Sequence, residues 1–132
     1  MNGDNQVTPY EMIGGEAALL RLVERFYFYM DTLPEASEVR ALHAEDLTLA
    51  RKKLLQFLSG WLGGPDLYIR EYGHPRLRMR HAPFAIGPEE SEQWLLCMNR
   101  ALSELPIQDD FRQRLSLALQ QLARHMINRG PQ

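Results

Sequence analysis

The feature that most constrains the fold is the run 73–86, GHPRLRMRHAPFAI, in which prolines stand at positions 75 and 83. A proline inside a helix removes a backbone hydrogen bond and clashes with the preceding turn. One continuous helix is therefore excluded here, and at most a short helical turn, ending just after His81, fits between the prolines. A histidine on such a turn, beside arginines, suits a metal or cofactor ligand, so the flanking segments must build the pocket.

Amphipathic helices are predicted on both sides of this run, because apolar residues recur there at three- and four-residue steps. We expect a polar leader over residues 1–9, a short amphipathic piece at 9–13, and long helices over 16–33, 46–62, 88–105 and 109–128. Asp46 or Thr48 is the expected cap of the second long helix. The apolar face of the first long helix is expected to contain Leu19, Leu20, Val23, Phe26, Tyr27 and Met30. Residues 66–83 show no periodicity and form a connection, which gives an all-α domain over residues 1–132.

Composition narrows the classes of function. The net charge of −2 argues against a nucleic-acid partner, and the local excess of arginine between Arg70 and Arg80 suits a small anionic group better. Cys97 is the single cysteine, which excludes an intramolecular disulfide and an iron–sulfur cluster. No apolar run approaches the ~20 residues of a membrane span, and the first residues show no export signal. These features predict a cytoplasmic protein that does not bind membranes.

The four histidines, His43, His74, His81 and His125, are the candidate ligands. A surface or capping residue is the common role for each. His125 is expected to pack along its helix, and His74, between glycine and proline, to lie in a turn. His81 differs because arginines precede it and an apolar segment follows, a combination that suits an iron porphyrin. Zinc would require three or four assembled ligands, and no such spacing is present.

At the level of motifs, the chain resembles the group II truncated, or two-over-two, haemoglobins. The resemblance covers residues 9–128 and predicts a two-over-two helical sandwich around haem b (iron protoporphyrin IX). Its specific part is the histidine run together with the tryptophan that follows. The matching motifs are Gly14-Gly15, Arg25-Phe26-Tyr27, Phe57-Leu58 through Gly63-Gly64-Pro65, Gly73 through Phe84, Trp94-Leu95 with Cys97-Met98, and Ala123-Arg124-His125-Met126.

The resemblance implies a role for each matching residue. His81 is the expected proximal ligand of the haem iron. Hydrogen-bonding and lining positions on the distal side are Tyr27, His43, Trp94, Ala50 and Leu54, with ligand access past Ala50. The expected haem-propionate partners are Lys53, Tyr68 and Arg80. Apolar haem contacts, which also suit core packing, are expected from Leu54, Phe57, Leu58, Trp61, Phe84, Ile86 and Met98.

Histidine at position 43 departs from much of the group, where tyrosine or phenylalanine is commoner. Its imidazole could donate or accept a hydrogen bond in the distal network, bind water, swing away, or ligate iron directly. Its role therefore stays open.

The function implied is reversible binding of O2, and also of CO and NO, with slow O2 release because Tyr27 and Trp94 donate hydrogen bonds to bound O2. An enzymatic alternative is NO dioxygenation or peroxidase-like turnover, for which an external reductase would be the partner. A haem-free helical interaction module is a third alternative. A monomer or weak homodimer is expected.

Overall fold

The computed structural model describes residues 7–130, so most of the predicted leader lies outside the described part of the chain. Within that part the chain forms eight α-helices and one 3-10 turn, Pro34–Ala36. The helices are α1 Pro9–Ile13, α2 Gly15–Thr32, α3 Ser37–Ala41, α4 Thr48–Trp61, α5 Leu67–Tyr72, α6 Leu77–His81, α7 Pro88–Ser103 and α8 Asp109–His125. None of the helices within residues 7–130 is long and apolar enough to cross a membrane.

Four long helices form the frame of the domain. Helix α2 packs against both α4 and α7, and α7 packs against α8. Their apolar faces meet in one core that includes Phe26, Met30, Leu58, Met98 and Leu119, each almost completely buried. The two-over-two all-α sandwich predicted from the sequence is confirmed.

The inward face of α2 differs from the predicted face at one position. Leu20 is 46% exposed, whereas Leu22, which was not assigned to the face, is 2% exposed and lies in the core. A helix turns by about 100° per residue, so Leu22, Val23 and Phe26 share one stripe while Leu20 falls on its edge. The spacing of apolar residues predicted the helix, but the predicted inward face was wrong at Leu20.

Helix α1 is held against the end of α4. The Thr8 hydroxyl accepts from the backbone N–H of Glu11, and the Glu11 carboxylate accepts from the backbone N–H of Thr8, which forms a capping box. Thr8 is therefore an ordered cap rather than part of a loose leader. The backbone N–H of Tyr10 donates to the Leu62 carbonyl, 2.9 Å away. Gly14, with φ 116°, ends α1 in the left-handed region that favours glycine.

Helix α5 corrects the prediction that 66–83 is a non-helical connection apart from one turn. It is only six residues long, which is too short to show a helical period. It packs against α4, where the Tyr68 ring meets Phe57 edge to face at 6.5 Å and the Glu71 carboxylate accepts from the Gln56 side chain at 2.9 Å. The short turn predicted before His81 is confirmed as α6.

Two predicted helix ends also differ in the structure. Helix α8 ends at His125 rather than at residue 128, because the backbone of Asn128 turns to bond Ile86. Leu47 occupies the N-cap position of α4, so neither Asp46 nor Thr48 is the cap. The Asp46 carboxylate nevertheless accepts from the backbone N–H of Thr48 at 2.9 Å, so it bonds the first turn of the helix from one residue further out.

Candidate functional site

The proximal side of the candidate site is the imidazole of His81 at the end of α6. Its Nδ1 lies 2.8 Å from the Leu77 carbonyl oxygen. A carbonyl can only accept a hydrogen bond, so Nδ1 carries the hydrogen and Nε2 keeps its lone pair in the neutral ring. A histidine that binds a metal through one nitrogen usually donates the other N–H to such a partner. The tautomer of His81 therefore suits an iron ligand.

Exposed apolar side chains stand on and beside the short helix that carries this imidazole. Phe84 is 41% exposed and Met79 is 58% exposed, and the Phe84 ring centroid lies 6.2 Å from that of His81. Exposed apolar surface beside one available imidazole nitrogen is what a flat, apolar, iron-containing group would cover. The residues present therefore fit the haem that the resemblance implies.

The distal residues lie in one aromatic cluster on the inner face of α2. Phe26 contacts Tyr27 edge to face, with ring centroids 4.8 Å apart, and contacts Trp94 of α7 at 5.4 Å. The Tyr27 ring meets that of His43 at 5.9 Å. The structure thus brings together three of the five predicted distal residues, Tyr27, His43 and Trp94, and Phe26, which had been assigned only to the core, joins them.

Burial sets the protonation of this cluster. Tyr27 is 4% exposed, and this burial raises the pKa of its phenol well above the usual value, so the hydroxyl stays a neutral donor. It donates only a long hydrogen bond, 3.4 Å, to the Ala50 carbonyl. Burial is also the main reason why the pKa of His43 lies below its usual value; the hydrogen bond to Val39 acts in the opposite direction, and the nearby charge of Arg40 lowers the pKa further. His43 is therefore mostly neutral at neutral pH.

The hydrogen bond of His43 fixes which nitrogen carries its proton. Nδ1 lies 2.9 Å from the Val39 carbonyl, so Nδ1 donates and Nε2 of the neutral ring is an acceptor. His43 also lines a surface cavity of about 590 Å³, together with Met30 and Arg40 among others. His43 therefore contacts the Tyr27 ring and also lines a cavity at the protein surface.

Helix α4 contributes the predicted apolar lining positions. Ala50, Leu54, Phe57 and Trp61 are half-buried at the edge of the core, while Leu58 is fully buried within it. Phe57 stacks on Trp61 with ring centroids 6.4 Å apart. The predicted contacts Ile86 and Met98 are both buried.

The three predicted propionate partners are brought together around Tyr72. Its ring lies 4.8 Å from that of Tyr68 and 5.2 Å from the ammonium group of Lys53. The guanidinium group of Arg80 lies 5.6 Å from the Tyr68 ring centroid. Arg80 also donates to the carbonyls of Tyr72 and His74, at 2.9 and 3.2 Å. It therefore orders the preceding loop and also places a positive charge beside Tyr68.

The remaining candidates fall outside the site. His74 lies in a bend, as predicted, and is exposed. The prediction that His125 packs into its helix is wrong, because its side chain is exposed at the end of α8. Cys97 is fully buried, and burial raises the pKa of its thiol to about 11, as expected for an inert cysteine.

Two residues that hold the proximal helix in place were not identified from the sequence. Arg78 donates to the His125 carbonyl at 2.8 Å, and Asn128 donates to the carbonyls of His81 and Phe84. No signal in one sequence marks an asparagine after a helix as the partner of a loop some forty residues earlier. The one related sequence feature is the excess of arginine around Arg78, which indicated an anionic ligand and not this contact with His125.

Comparison with known proteins gives one consistent result. Residues 8–128 match the family described as bacterial-like globin. The chain is 40% identical over 126 residues to the group 2 truncated haemoglobin YjbI of Bacillus subtilis, covering 96% of this chain and 92% of that protein.

Solved structures agree with this match. The group II 2-on-2 haemoglobin of Agrobacterium tumefaciens is 43% identical, with a TM-score of 0.92 that covers 98% of this chain and 100% of the other. The truncated oxygen-avid haemoglobin of Bacillus subtilis is 41% identical, with a TM-score of 0.83 over 92% and 100% of the two chains.

Proposed function

This chain belongs to the bacterial-like globin family, as a group II truncated haemoglobin, and from that membership we propose that it binds O2 reversibly at haem b and releases it slowly. CO and NO are proposed as further ligands of the same site. The proposal includes the cytoplasmic location and the monomeric or weakly dimeric state expected from the sequence.

The observation that carries the proposal is the state of the His81 imidazole. Its Nδ1–H bond to Leu77 holds the ring on α6 and leaves Nε2 as the ligand atom. Haem, when bound, supplies an iron atom with one coordination position for a diatomic ligand. Phe84 would cover its apolar face on the His81 side, and Arg80, Lys53 and Tyr68 would bond its carboxylates at the edge of the site.

Slow release is proposed because the distal cluster offers hydrogen-bond donors. The long Tyr27–Ala50 bond leaves the Tyr27 hydroxyl available to a ligand, and the Trp94 indole N–H is a second donor. Each neutral hydrogen bond contributes about 1 kcal/mol, and about 1.4 kcal/mol changes a rate tenfold. Two such bonds would slow O2 release by between one and two decades. The oxygen-avid relative from Bacillus subtilis supports this direction.

His43 has a narrower role in this proposal than the sequence allowed. Because Nδ1–H is committed to Val39, neutral His43 acts as an acceptor at Nε2, for a water molecule or, when no ligand takes it, for the Tyr27 hydroxyl. It would therefore orient donors rather than donate to the ligand itself. Direct ligation would require His43 to leave its contact with Tyr27.

Turnover at the same site is the second candidate function. Phe26 contacts both Tyr27 and Trp94, which places two oxidisable rings in one chain of aromatic contacts. Peroxidase-like chemistry would use these rings as radical sites, and NO dioxygenation would use a separate reductase. After peroxide treatment of the haem-loaded protein, a tyrosyl or tryptophanyl radical that disappears in Tyr27→Phe or Trp94→Phe would favour this candidate.

The test of the main proposal is an absorption spectrum of the purified protein in the ferric, ferrous, CO-bound and oxygenated states. We expect a Soret band after haem supplementation and a stable oxygenated form. His81→Ala should abolish stable haem binding, while the matched variant His74→Ala should bind haem like the wild type. Absence of a Soret band in the supplemented wild type would leave the haem-free interaction module. Unchanged spectra in His81→Ala would move the ligand role to another histidine.

A further inference from the structure

We infer that Asn128 is a positioning residue for the proximal side of the site: its carboxamide holds the His81 carbonyl and the backbone of residues 84–86, and so fixes where the His81 imidazole points. This inference rests on the proposed role of His81 as the haem ligand. It concerns a residue outside both the predicted site and every helix of the sandwich.

The helix that carries His81 cannot hold itself in place. Helix α6 has five residues, buries none of them, and has no side-chain hydrogen bond at its N-cap. Its N-cap residue, Arg76, has φ 43°, a left-handed conformation that is unfavourable for a residue other than glycine. Isolated helices of this length are unstable in water. Polar contacts with neighbouring segments must therefore fix its position.

Asn128 supplies a set of such contacts with one short side chain. Its Nδ2 donates to the His81 carbonyl at 3.2 Å and to the Phe84 carbonyl at 2.9 Å, and its Oδ1 accepts from the Ile86 N–H at 2.9 Å. The backbone N–H groups of Asn128 and Arg129 both donate to the Ile86 carbonyl, at 2.8 and 3.0 Å. The segment after α8 is thereby joined to the segment after α6 by five hydrogen bonds.

These hydrogen bonds provide partners for backbone groups in the loop that follows α6. Residues 82–86 leave α6 through Pro83, which has no N–H, and the loop becomes buried at Ile86. Backbone groups in such a segment need partners, since a buried polar group without one is costly. Asn128 provides both donors and an acceptor at this point.

The other contacts of α6 act differently. Arg78 and Arg80 reach outward from the helix through long side chains to carbonyls of His125, Tyr72 and His74. Asn128 is the one side chain within residues 7–130 that donates to the carbonyl of His81 itself. The Asn128 side chain has only two rotatable bonds, so ordering it costs less conformational entropy than ordering an arginine. Its short reach also allows less displacement of the His81 carbonyl. It therefore controls the orientation of His81 more closely than the arginines do.

Two variants separate the parts of this contact. Asn128→Asp keeps an acceptor for the Ile86 N–H but places a second oxygen against the His81 and Phe84 carbonyls. Asn128→Ser shortens the side chain and removes both donors of the carboxamide. The matched control is Asn99→Ser, because Asn99 also bonds across elements, accepting from the Ser116 hydroxyl of α8 at 2.8 Å, away from residues 81–86.

The first measurement is hydrogen exchange of the backbone amides of residues 82–87 in the full-length protein, with and without haem. We expect exchange in this segment to be about tenfold faster in both Asn128 variants, because one to two hydrogen bonds are lost, and unchanged in Asn99→Ser. The second measurement uses the loaded protein. We expect a shifted or broadened iron–histidine stretching band in the ferrous state and transfer of haem to apomyoglobin that is several-fold faster.

The outcomes distinguish this inference from the proposed function. If the wild type takes up no haem, the proposed function fails and this inference fails with it. If the wild type binds haem through His81 but both variants keep the wild-type stretching band and transfer rate, only the inference about Asn128 is overturned. Equal effects in Asn99→Ser would likewise overturn it, since they would reflect a general loss of stability.

Discussion

Replacing Tyr27 by phenylalanine removes one hydroxyl group from the distal cluster and leaves its ring contacts with Phe26 and His43 in place. We expect O2 to dissociate about fivefold faster from this variant. The phenol is buried and neutral, because burial raises its pKa, and its existing bond to Ala50 is long at 3.4 Å. The hydroxyl is therefore available to a ligand, and one hydrogen bond of about 1 kcal/mol corresponds to about a fivefold change in rate.

The long hydrogen bond from Tyr27 to Ala50 also predicts that Tyr27→Phe has little effect on the stability of the fold. The Ala50 carbonyl lies inside α4, and a 3.4 Å contact from the Tyr27 hydroxyl adds little to it. Losing a poorly bonded hydroxyl from a packed ring should change the free energy of unfolding by less than about 1 kcal/mol. A larger loss would mean that the hydroxyl is part of the core's own hydrogen bonding and is not reserved for a ligand.

The assay is stopped-flow replacement of O2 by CO, with thermal unfolding of the same samples. Tyr29→Phe is the matched control, because it removes the same group from the same helix, where the hydroxyl bonds Glu104 and Arg25 instead. The control should keep the wild-type dissociation rate and lower the melting temperature slightly. A rate for Tyr27→Phe within twofold of the wild type, or an equal rise in Tyr29→Phe, would refute this account of the distal hydroxyl.

Three further predictions concern other parts of the molecule. Trp94→Phe should raise the O2 dissociation rate by up to about tenfold, since one N–H donor is lost, and an unchanged stopped-flow rate would remove Trp94 from ligand binding. His43 has a folded-state pKa below its usual value of about 6.5, so its neutral form contributes stability above that pH and the contribution is lost as the pH falls below it. His43→Gln should therefore flatten the pH dependence of the unfolding free energy between pH 8 and 5, and an equally steep profile would contradict this. Gly64→Ala should destabilise the protein by about 1–3 kcal/mol in chemical unfolding, because an added Cβ would lie 2.4 Å from the Tyr10 ring; the control Gly60→Ala meets only ordinary contacts and should be neutral or stabilising.

Periodicity predicted the long helices because each buries one continuous stripe, and such a stripe leaves a repeating pattern. The pattern also contained the position of Leu22, which lies three residues after Leu19 and four before Phe26, so assigning Leu20 to the inward face in its place was an error in reading the helical spacing. Helix α5 was missed for a different reason. Its residues are half-buried or exposed, and it contacts α4 through Tyr68 and Glu71, which leave no apolar period in the sequence.

The candidate site likewise has some features that the sequence predicts and others that it does not. The segment of His81 could be singled out from the sequence as the place of a candidate ligand because prolines and arginines mark it, and the resemblance implied that Tyr27 and Trp94 lie on one side of the site. The tautomers of His43 and His81 could not be predicted, because each depends on a carbonyl four residues earlier lying within 3 Å of Nδ1. The role of Asn128 also depends on a contact between distant segments, which no local pattern records.

The two sides of the site are stabilised by different kinds of interaction, and this difference has a consequence for haem uptake. Tyr27 and Trp94 stand on long helices and contact Phe26 at the centre of the core, so the distal side is ordered by the same burial that folds the domain. The helix of His81 buries no residue and depends on hydrogen bonds from Arg78, Arg80 and Asn128. Segments with few buried apolar contacts open more readily than the core. Binding a ligand to such a segment stabilises the state that binds it. Haem uptake should therefore order residues 73–86 strongly while changing the distal cluster little, and equal gains in amide protection on both sides would show that the proximal helix is as firmly held without haem as the core is.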